Sequence, residues 1–267
     1  KQYLAVGRLN NVDVRTDFTW NGKKVDVAVA THRDHNSLQV FSIDRNTGLL
    51  TDIGQVATPL TDIYGICMYK DAAGAIYAIP NDKDGRFLQY RLSAASEKIH
   101  GEMVREFSVK TQPEGCVAND KTHRLFVGEE DEAVWALDAR ADAATTLEKV
   151  IAVDGERIVD DIEGLAIYNG KVRDYLVISS QGNDSYPIVD AEAPYTWRGA
   201  FRMGLNAQKG IDGASETDGL EVTSANLGGV WSQGMLVVQD GRKRMPEDRQ
   251  NYKYVPWSDI AEALKLD

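Results

Sequence analysis

The sequence predicts an all-β protein, a β-propeller with about five four-stranded blades. The first observation that supports this prediction is a set of sequence repeats. Four segments that end in glycine recur about 50 residues apart, at positions 61–65, 111–115, 160–164 and 215–219. Such a period indicates units that cannot bury an apolar face alone and therefore stack on their neighbours. Each segment is followed by short apolar runs separated by turn residues, and four such strands per repeat form a propeller blade.

The strands of each blade are predicted from these apolar runs. The first strands are Leu9–Val14, Ile66–Tyr69, Cys116–Ala118, Leu165–Tyr168 and Leu220–Thr223. The second strands are Lys24–Ala30, Ala75–Ile79, Arg124–Val127, Tyr175–Ile178 and Met235–Val238. The third strands are Leu38–Ile43, Phe87–Leu92, Ala133–Leu137, Tyr186–Val189 and Tyr252–Trp257. The fourth strands are Leu50–Val56, Arg105–Val109, Lys149–Val153 and Trp197–Arg202.

These strands divide the chain into blades at 8–57, 58–110, 111–156, 157–206 and 207–267, within a single domain of residues 1–267. The two ends depart from the template. The last blade ends after its third strand and is followed by a helical segment, Ser258–Leu266. Residues 1–7 are predicted to form a lone outer strand over Lys1–Val6. This strand either closes the ring beside the last blade or ends a blade whose beginning is not in this chain.

The chain is acidic, with a net charge of −11 and a pI of about 4.9. This charge argues against nucleic acids and anionic membranes as partners. No apolar run approaches the length that a membrane-spanning helix requires.

The two cysteines are predicted to be packed thiols. Cys67 follows its blade's glycine by two residues, whereas Cys116 follows its own by one. Because side chains alternate along a strand, the two thiols are expected on opposite faces. No disulfide between them is predicted.

The residue before each repeated glycine carries the functional signal. It is Tyr64, Glu114, Glu163 and Asp218 in turn, so three of the four are carboxylates at one equivalent position. Blades arranged around an axis bring such acids together, and converging carboxylates need a cation. Oxygen ligands favour Ca²⁺ over Zn²⁺, because the four histidines show no zinc-binding spacing. The alternative is that these acids are ordinary solvated turn residues.

Seven strings that follow one another along the chain carry a family resemblance. They are Arg8–Arg15, Asn21–Asp26, Phe126–Trp135, Asp161–Gly164, Ser179–Asn183, Asp212–Gly219 and Val238–Gly241. These strings resemble the calcium-dependent β-propeller phytases of bacteria. The resemblance implies a six-bladed propeller that uses several calcium ions to hydrolyse phosphate monoesters of phytate, inositol hexakisphosphate. Nothing here matches the family's further blade ahead of the first string, so we expect a fragment or domain of a six-bladed enzyme.

The resemblance also implies roles for individual residues. The expected catalytic residues are Glu114, Glu130, Asp161, Glu163 and Tyr64, the four acids holding calcium together with Asp212. The expected substrate-binding residues are Arg33, Lys83 and Tyr64. The further expected metal positions are Gln181, Asp218, Gln239, Asp240, Val12 and Asp13, the last two in a segment that offers a backbone carbonyl.

The expected activity is that of a 3-phytase, which removes phosphate from phytate and lower inositol phosphates with metal-activated water. Two alternatives stay open. One is a catalytically impaired or non-enzymatic propeller that calcium stabilises for binding or scaffolding. The other is a different calcium-dependent propeller hydrolase, for which His32 is the histidine in a suitable turn. Weak oxygen-ligand sites need abundant calcium, which predicts a secreted or periplasmic protein. A monomer is expected, although the sequence does not fix the oligomeric state.

Overall fold

The computed structural model describes residues 2–267 and contains nineteen β-strands in five sheets. The first sheet contains β1 (Leu9–Trp20), β2 (Lys23–His32), β3 (Ser37–Ile43) and β4 (Leu50–Ala57). The second contains β5 (Ile63–Lys70), β6 (Ile76–Asp82), β7 (Arg86–Ala95) and β8 (Lys98–Ser108). The third contains β9 (Pro113–Asn119), β10 (Arg124–Glu129), β11 (Ala133–Asp138) and β12 (Glu148–Ala152).

The last two sheets complete the fold. The fourth contains β13 (Ile162–Asn169), β14 (Asp174–Ser180), β15 (Tyr186–Asp190) and β16 (Trp197–Phe201). The fifth contains β17 (Leu220–Thr223), β18 (Met235–Asp240) and β19 (Asn251–Pro256), and the helix α1 (Trp257–Leu264) follows it. Short 3₁₀ turns lie at Gln181–Asn183 and Gly229–Trp231. In every sheet, strands that are consecutive in the sequence are hydrogen-bonded neighbours. The predicted β-propeller class is therefore confirmed.

The chain forms two compact units. One runs to Leu125 and includes Ala136–Leu147, and the other contains Phe126–Trp135 and Glu148–Asp267. The first two sheets belong to the first unit, the fourth and fifth to the second, and the third sheet has residues in both. No helix within residues 2–267 is long and apolar enough to cross a bilayer.

Each unit has its own apolar core. In the first unit, Val29, Leu38 and Met68 are completely buried in a cluster to which the first two sheets contribute side chains. In the second, the rings of Tyr168 and Trp257 stack with their centres 3.8 Å apart and attach α1 to the last two sheets. Burial of each large apolar side chain contributes about 1.5–3 kcal/mol to folding.

The predicted strands agree with the observed strands in order and position, but several of the observed strands are longer. The clearest case is β8, which begins at Lys98 because Ala95 pairs with Lys98 across a two-residue turn. The turn residues Ser96 and Glu97 have φ values of 51° and 59°. A two-residue hairpin with two positive φ angles normally contains Asn-Gly or Asp-Gly, so this turn gave no sequence signal.

The prediction of two unpaired thiols is wrong, because Cys67 and Cys116 form a disulfide with a Cα–Cα distance of 5.5 Å. Cys67 lies on β5 and Cys116 on β9, which are the first strands of two successive sheets in the first unit. Blades that pack face to face bring opposite faces of successive sheets together. Thiols on opposite faces of two such strands therefore point toward each other.

The predicted outer strand at residues 1–7 is also wrong over the described residues 2–7, which form no strand. Gln2 instead attaches to β4 through its side-chain amide, whose Nε2 donates to Leu50 O at 2.7 Å and whose Oε1 accepts from Leu50 N at 2.8 Å. The side-chain amide of Gln2 thus bonds the backbone C=O and N–H of Leu50, the kind of groups that pair between neighbouring strands. Lys1 lies outside the described residues.

Candidate functional site

Two of the repeated glycines allow one first strand to approach the next very closely. A Cβ atom on Gly65 would lie 2.0 Å from the carbonyl oxygen of Glu114. A Cβ atom on Gly164 would lie 2.8 Å from Leu220 N and 3.0 Å from Asp218 O. Glycine is therefore required at both positions, where backbone meets backbone. In both cases the contacted atoms include the carbonyl oxygen of the residue before the next repeated glycine, which is Glu114 for Gly65 and Asp218 for Gly164.

In the first unit, the structure brings together the three residues predicted to bind substrate phosphate. The guanidinium carbon of Arg33 lies 5.0 Å, and Nζ of Lys83 4.2 Å, from the centre of the Tyr64 ring. Arg33 also donates from Nη2 to Asp62 Oδ1 at 2.8 Å. Aromatic faces attract cations, which helps to hold the two positive groups near one another. Arg33 lies in the β2–β3 turn and Lys83 in the β6–β7 turn, so two sheets supply the cations.

Glu114 is buried in β9, and its carboxylate is oriented by an asparagine of β1. Asn10 Nδ2 donates to Glu114 Oε1 at 3.2 Å and to Tyr64 O at 3.4 Å. Asn81 completes this region: its Nδ2 donates to Glu114 O at 2.9 Å, and its Oδ1 accepts from Gly65 N at 2.8 Å. Two side-chain amides thus connect the Tyr64–Gly65 pair to Glu114, which is equivalent to Tyr64 in the next blade.

The predicted metal position at Val12 and Asp13 has different contacts. The Val12 side chain is 60% exposed. The Asp13 carboxylate lies 3.0 Å from Arg15 Nη1 and accepts from Met68 N at 2.7 Å. Arg15 Nε also pairs with Asp120 Oδ2 at 2.9 Å. The Asp13 carboxylate is thus neutralised by a guanidinium, and a metal contact through a backbone carbonyl of this segment stays a prediction.

In the second unit, three aspartates form an acidic cluster. One carboxylate oxygen each from Asp131, Asp160 and Asp161 lies within 4.8 Å of the others. Asp131 comes from the β10–β11 turn, and the two neighbouring aspartates immediately precede β13. Gln181 N donates to Asp161 O at 2.9 Å and fixes this segment against the end of β14. Three carboxylates this close repel one another in the absence of a counter-charge.

Glu130 and Glu163 form a buried carboxylate pair in the same unit. Their side-chain oxygens lie within 4.8 Å of each other, and both residues are less than a tenth exposed. Ile162 N donates to Glu130 O at 3.0 Å, which joins the end of β10 to the start of β13. Two of the predicted catalytic acids are thus brought together, next in sequence to the aspartate cluster.

Three further predicted residues meet beside this cluster. Gln181 Nε2 donates to Asp218 Oδ1 at 2.9 Å, and Gln239 Oε1 accepts from Asp218 N at 2.9 Å. Gly164 N donates to Asp218 O at 2.8 Å, which places Asp218 next to the strand that carries Glu163. Glu163 and Asp218, the acids at equivalent positions of two successive blades, are therefore neighbours, in agreement with the sequence prediction.

Asp212 and Asp240, also predicted as metal ligands, both contact the ammonium group of Lys253. Lys253 Nζ lies 2.9 Å from Asp212 Oδ1, 2.6 Å from Asp240 Oδ2 and 2.9 Å from Asn251 Oδ1. Asp240 is almost fully buried, and Asp212 Oδ2 accepts a hydrogen bond from Arg244 N. That backbone bond and the Lys253 ammonium lower the pKa of Asp212 to about 2. Burial disfavours the charged lysine, but its bonds to Asp240 and Asp212 outweigh burial and raise its pKa.

Sequence reasoning missed several residues of this region. Asp131 and Asp160 carried a usable signal, because each is the sequence neighbour of a predicted ligand within an acidic string. Asn10 lies within the first string that carries the family resemblance, and its partner Glu114 is far away in sequence. Lys253 gave no signal, because an isolated lysine in a strand does not reveal which carboxylates it contacts.

The comparisons with known proteins agree with the sequence resemblance. A family model described as Phytase matches residues 1–267. The chain is 37% identical to the 3-phytase of Bacillus subtilis (strain 168) over an alignment of 271 residues, which covers 97% of this chain and 70% of that protein.

Two solved structures resemble the fold at low sequence identity. One is the crystal structure of a nidogen/laminin complex, with a TM-score of 0.54 and 12% identity, covering 91% of this chain and 79% of that chain. The other is a GH43_1 enzyme from Xanthomonas citri, with a TM-score of 0.55 and 14% identity, covering 94% and 89%. At these identities they show the fold alone.

Proposed function

The chain belongs to the phytase family, and from that premise we propose that it releases phosphate from phytate by calcium-assisted hydrolysis. The observation that carries the proposal is the acidic cluster of Asp131, Asp160 and Asp161 beside the buried pair Glu130 and Glu163. These donors are all carboxylate oxygens, which are the ligands that Ca²⁺ takes, whereas structural and catalytic Zn²⁺ sites use histidine or cysteine. The donor set fits calcium.

Glu130, Asp161 and Glu163 are the residues proposed to hold the ions. Calcium bound there supplies positive charge for a substrate phosphate and lowers the pKa of a bound water. The family resemblance and its equivalent repeat position support Glu114 as a further ligand. Gln181, Asp218 and Gln239 are proposed to stabilise further metal positions, as is the backbone at Val12 and Asp13. The ion pairs of Asp212 and Asp240 with Lys253 support a structural role for these two aspartates.

The net charge of −11 and the local carboxylates oppose the binding of a polyanionic substrate. Two like unit charges about 4 Å apart repel by roughly 4 kcal/mol at an effective dielectric constant of ~20. Five carboxylates in one region therefore exclude a phosphate ester unless positive charge lies between them.

Arg33 and Lys83 are proposed to bind phosphate oxygens of the substrate. Arg33 can donate two parallel hydrogen bonds from its planar guanidinium, and Lys83 acts as a point charge. The Tyr64 ring and Asp62 restrict the position of Arg33 before substrate arrives, which lowers the entropy cost of binding. Tyr64 is proposed to contact the same phosphate.

The test is phosphate release from phytate in the presence of calcium and in the presence of excess EGTA, for the parent and for Glu163→Gln. We expect release by the parent in calcium only, and a loss of orders of magnitude in the variant while its fold is retained. Equal release in EGTA, or normal release by Glu163→Gln, would contradict the mechanism.

The alternative of a different calcium-dependent hydrolase needs an accessible histidine. His32 is almost fully buried, its Nε2 lies 2.6 Å from Val6 O, and its ring stacks on His35. These contacts disfavour His32 as an acid or base. Hydrolysis of a carboxylic ester in the same calcium and EGTA buffers, followed by release of its acid, tests this alternative. The absence of turnover of either substrate in calcium would favour a non-enzymatic propeller that calcium stabilises.

We also propose an oxidising location outside the cytoplasm, secreted or periplasmic. The support is the disulfide between Cys67 and Cys116, because such bonds form and persist mainly in oxidising compartments.

A further inference from the structure

The hairpin loop between β18 and β19, residues 241–250, carries two more positive than negative side chains in a chain that is acidic overall. It contains Arg242, Lys243, Arg244 and Arg249 against two acids, Glu247 and Asp248, while the whole chain has a net charge of −11. A local reversal of sign at a surface loop creates a positive field that attracts anions. Among the other turns after second strands, those with Arg33 and Lys83 each pair one cation with a neighbouring aspartate, and 129–132 is entirely acidic.

The arginine side chains of this loop are exposed to solvent. The Arg242 side chain is 59% exposed, and Arg244 and Arg249 are also exposed. Among the described residues 2–267, the guanidinium groups of Arg244 and Arg249 form no ion pair. Their charge is therefore not cancelled by a direct partner, in contrast to that of Lys253 at the base of the loop.

The base of the loop is fixed by buried contacts. Lys253 Nζ forms ion pairs with Asp212 and with Asp240, the last residue of β18. Asp212 in turn accepts a hydrogen bond from the backbone of Arg244, and Gly241 N donates to Ser215 O at 2.8 Å. A loop held at both ends keeps its exposed cations in a limited region, so less entropy is lost when they bind an anion.

An ion pair, a short stretch of sequence and two hydrogen bonds link the loop to the acidic cluster of the same unit. Arg242 Nη2 lies 3.3 Å from Glu216 Oε1, and Glu216 is two residues from Asp218 in sequence. Asp218 accepts from Gln181 Nε2, and the backbone of Gln181 donates to Asp161 O. The base of the basic loop is therefore linked, through Glu216 and Asp218, to a residue that contacts the acidic cluster.

We propose that loop 241–250 is an anion-binding surface for phosphate groups of a polyphosphorylated substrate other than the group being hydrolysed. This inference rests on the proposed function. A substrate with several phosphates must place its non-reacting groups beside carboxylates that repel them. Arg244 and Arg249 offset that repulsion, and they select substrates with several phosphates over simple monoesters.

The test uses Arg244→Gln/Arg249→Gln, which removes two exposed charges and leaves a polar side chain at each position. The matched control is Lys23→Gln/Lys171→Gln, which removes two exposed charges at the β1–β2 and β13–β14 turns. Those turns lie at the opposite end of their sheets from the turns after the second strands. We expect kcat/KM for phytate relative to that for p-nitrophenyl phosphate to fall roughly fivefold in the loop variant. The change should appear in KM for phytate, with a weaker dependence on salt, and the control should keep the parent ratio.

A binding measurement separates this proposal from the proposed function. Calorimetric titration with inositol hexasulfate, a non-hydrolysable hexa-anion, in calcium should show weaker binding to the loop variant than to the parent and the control. Equal binding and an unchanged substrate ratio would overturn the proposal. A parent that binds the hexa-anion through the loop but releases no phosphate would refute the proposed function and leave the anion-binding surface supported. If the double variant misfolds, the same measurements are made on the single variants Arg244→Gln and Arg249→Gln, provided that their melting temperatures equal that of the parent.

Discussion

Removal of the Cys67–Cys116 disulfide should destabilise the protein strongly. The bond closes a loop with a sequence separation of 49 residues and joins the first strands of two successive sheets. In the chain-entropy model, a cross-link over about 50 residues removes conformational freedom from the unfolded chain worth about 4 kcal/mol at 25 °C. Because total unfolding free energies are typically about 5–15 kcal/mol, this is a large share. For a chain of 267 residues, it corresponds to a melting temperature lower by about 7 °C.

The assay compares urea denaturation of the parent, of the reduced parent and of Cys67→Ala/Cys116→Ala. The reduced parent is the sharper control, because it loses the cross-link but keeps both sulfur atoms and so leaves no cavity. Both cysteines are buried, at 1% and 8% exposure, so reduction must be carried out on the unfolded chain before refolding in reductant.

Two results would refute this reasoning. One is the detection of two free thiols in the oxidised protein after denaturation, since paired cysteines do not react with a thiol reagent. The other is a loss of less than about 1 kcal/mol in the reduced parent, which is below the range that the entropy model allows for such a loop.

Four further predictions concern the carboxylates and the phosphate-binding residues. Excess EGTA should lower the melting temperature, because a cation bound only by the folded state stabilises it by mass action; an unchanged melting curve would show that these acids hold no stabilising calcium. Glu163→Gln should reduce phytate hydrolysis by orders of magnitude and keep the fold, as measured by phosphate release and circular dichroism. Arg33→Lys keeps the charge but loses the two-bond geometry, so KM for phytate should rise or kcat fall while the effect of calcium on melting stays as in the parent; kinetics equal to those of the parent in both Arg33→Lys and Arg33→Ala would exclude such a contact. Because the pKa of Asp212 is lowered to about 2 from 3.8 in the folded protein, its contribution to the unfolding free energy is present above pH 3.8 and lost as the pH falls toward 2; Asp212→Asn should flatten that part of the stability–pH curve.

Most of the fold could be predicted because propeller strands carry local signals. β17 was predicted with its observed limits, and the other predicted strands overlap the observed ones, since alternating apolar runs and turn residues mark each strand. The turn at Ser96 and Glu97 could not be predicted, because its positive φ angles occur without glycine or asparagine. Residues 2–7 could not be predicted either, because their attachment depends on one amide of Gln2 rather than on a strand pattern.

The candidate site was predictable where neighbours in the repeat become neighbours in space. Tyr64 and Glu114, and Glu163 and Asp218, occupy equivalent positions, so the period alone brought each pair together. The pairing of Lys253 with Asp212 and Asp240 could not be foreseen, because it joins residues from different turns whose contact depends on loop geometry. The disulfide was missed because face counting was applied within one sheet, whereas the bond crosses between two sheets.

The tight strand contacts at Gly65 and Gly164 determine how the repeat can diverge. A methyl group at either position would meet backbone atoms of the next strand, whereas a Cβ at Gly219 meets nothing within 4 Å. One motif is therefore under two different mutational constraints. In a saturation library, Gly219 should accept alanine, while alanine at Gly65 or Gly164 should force two strands apart and disappear under selection for folding. A recurring residue in a repeat protein can thus record descent at one copy and steric necessity at another.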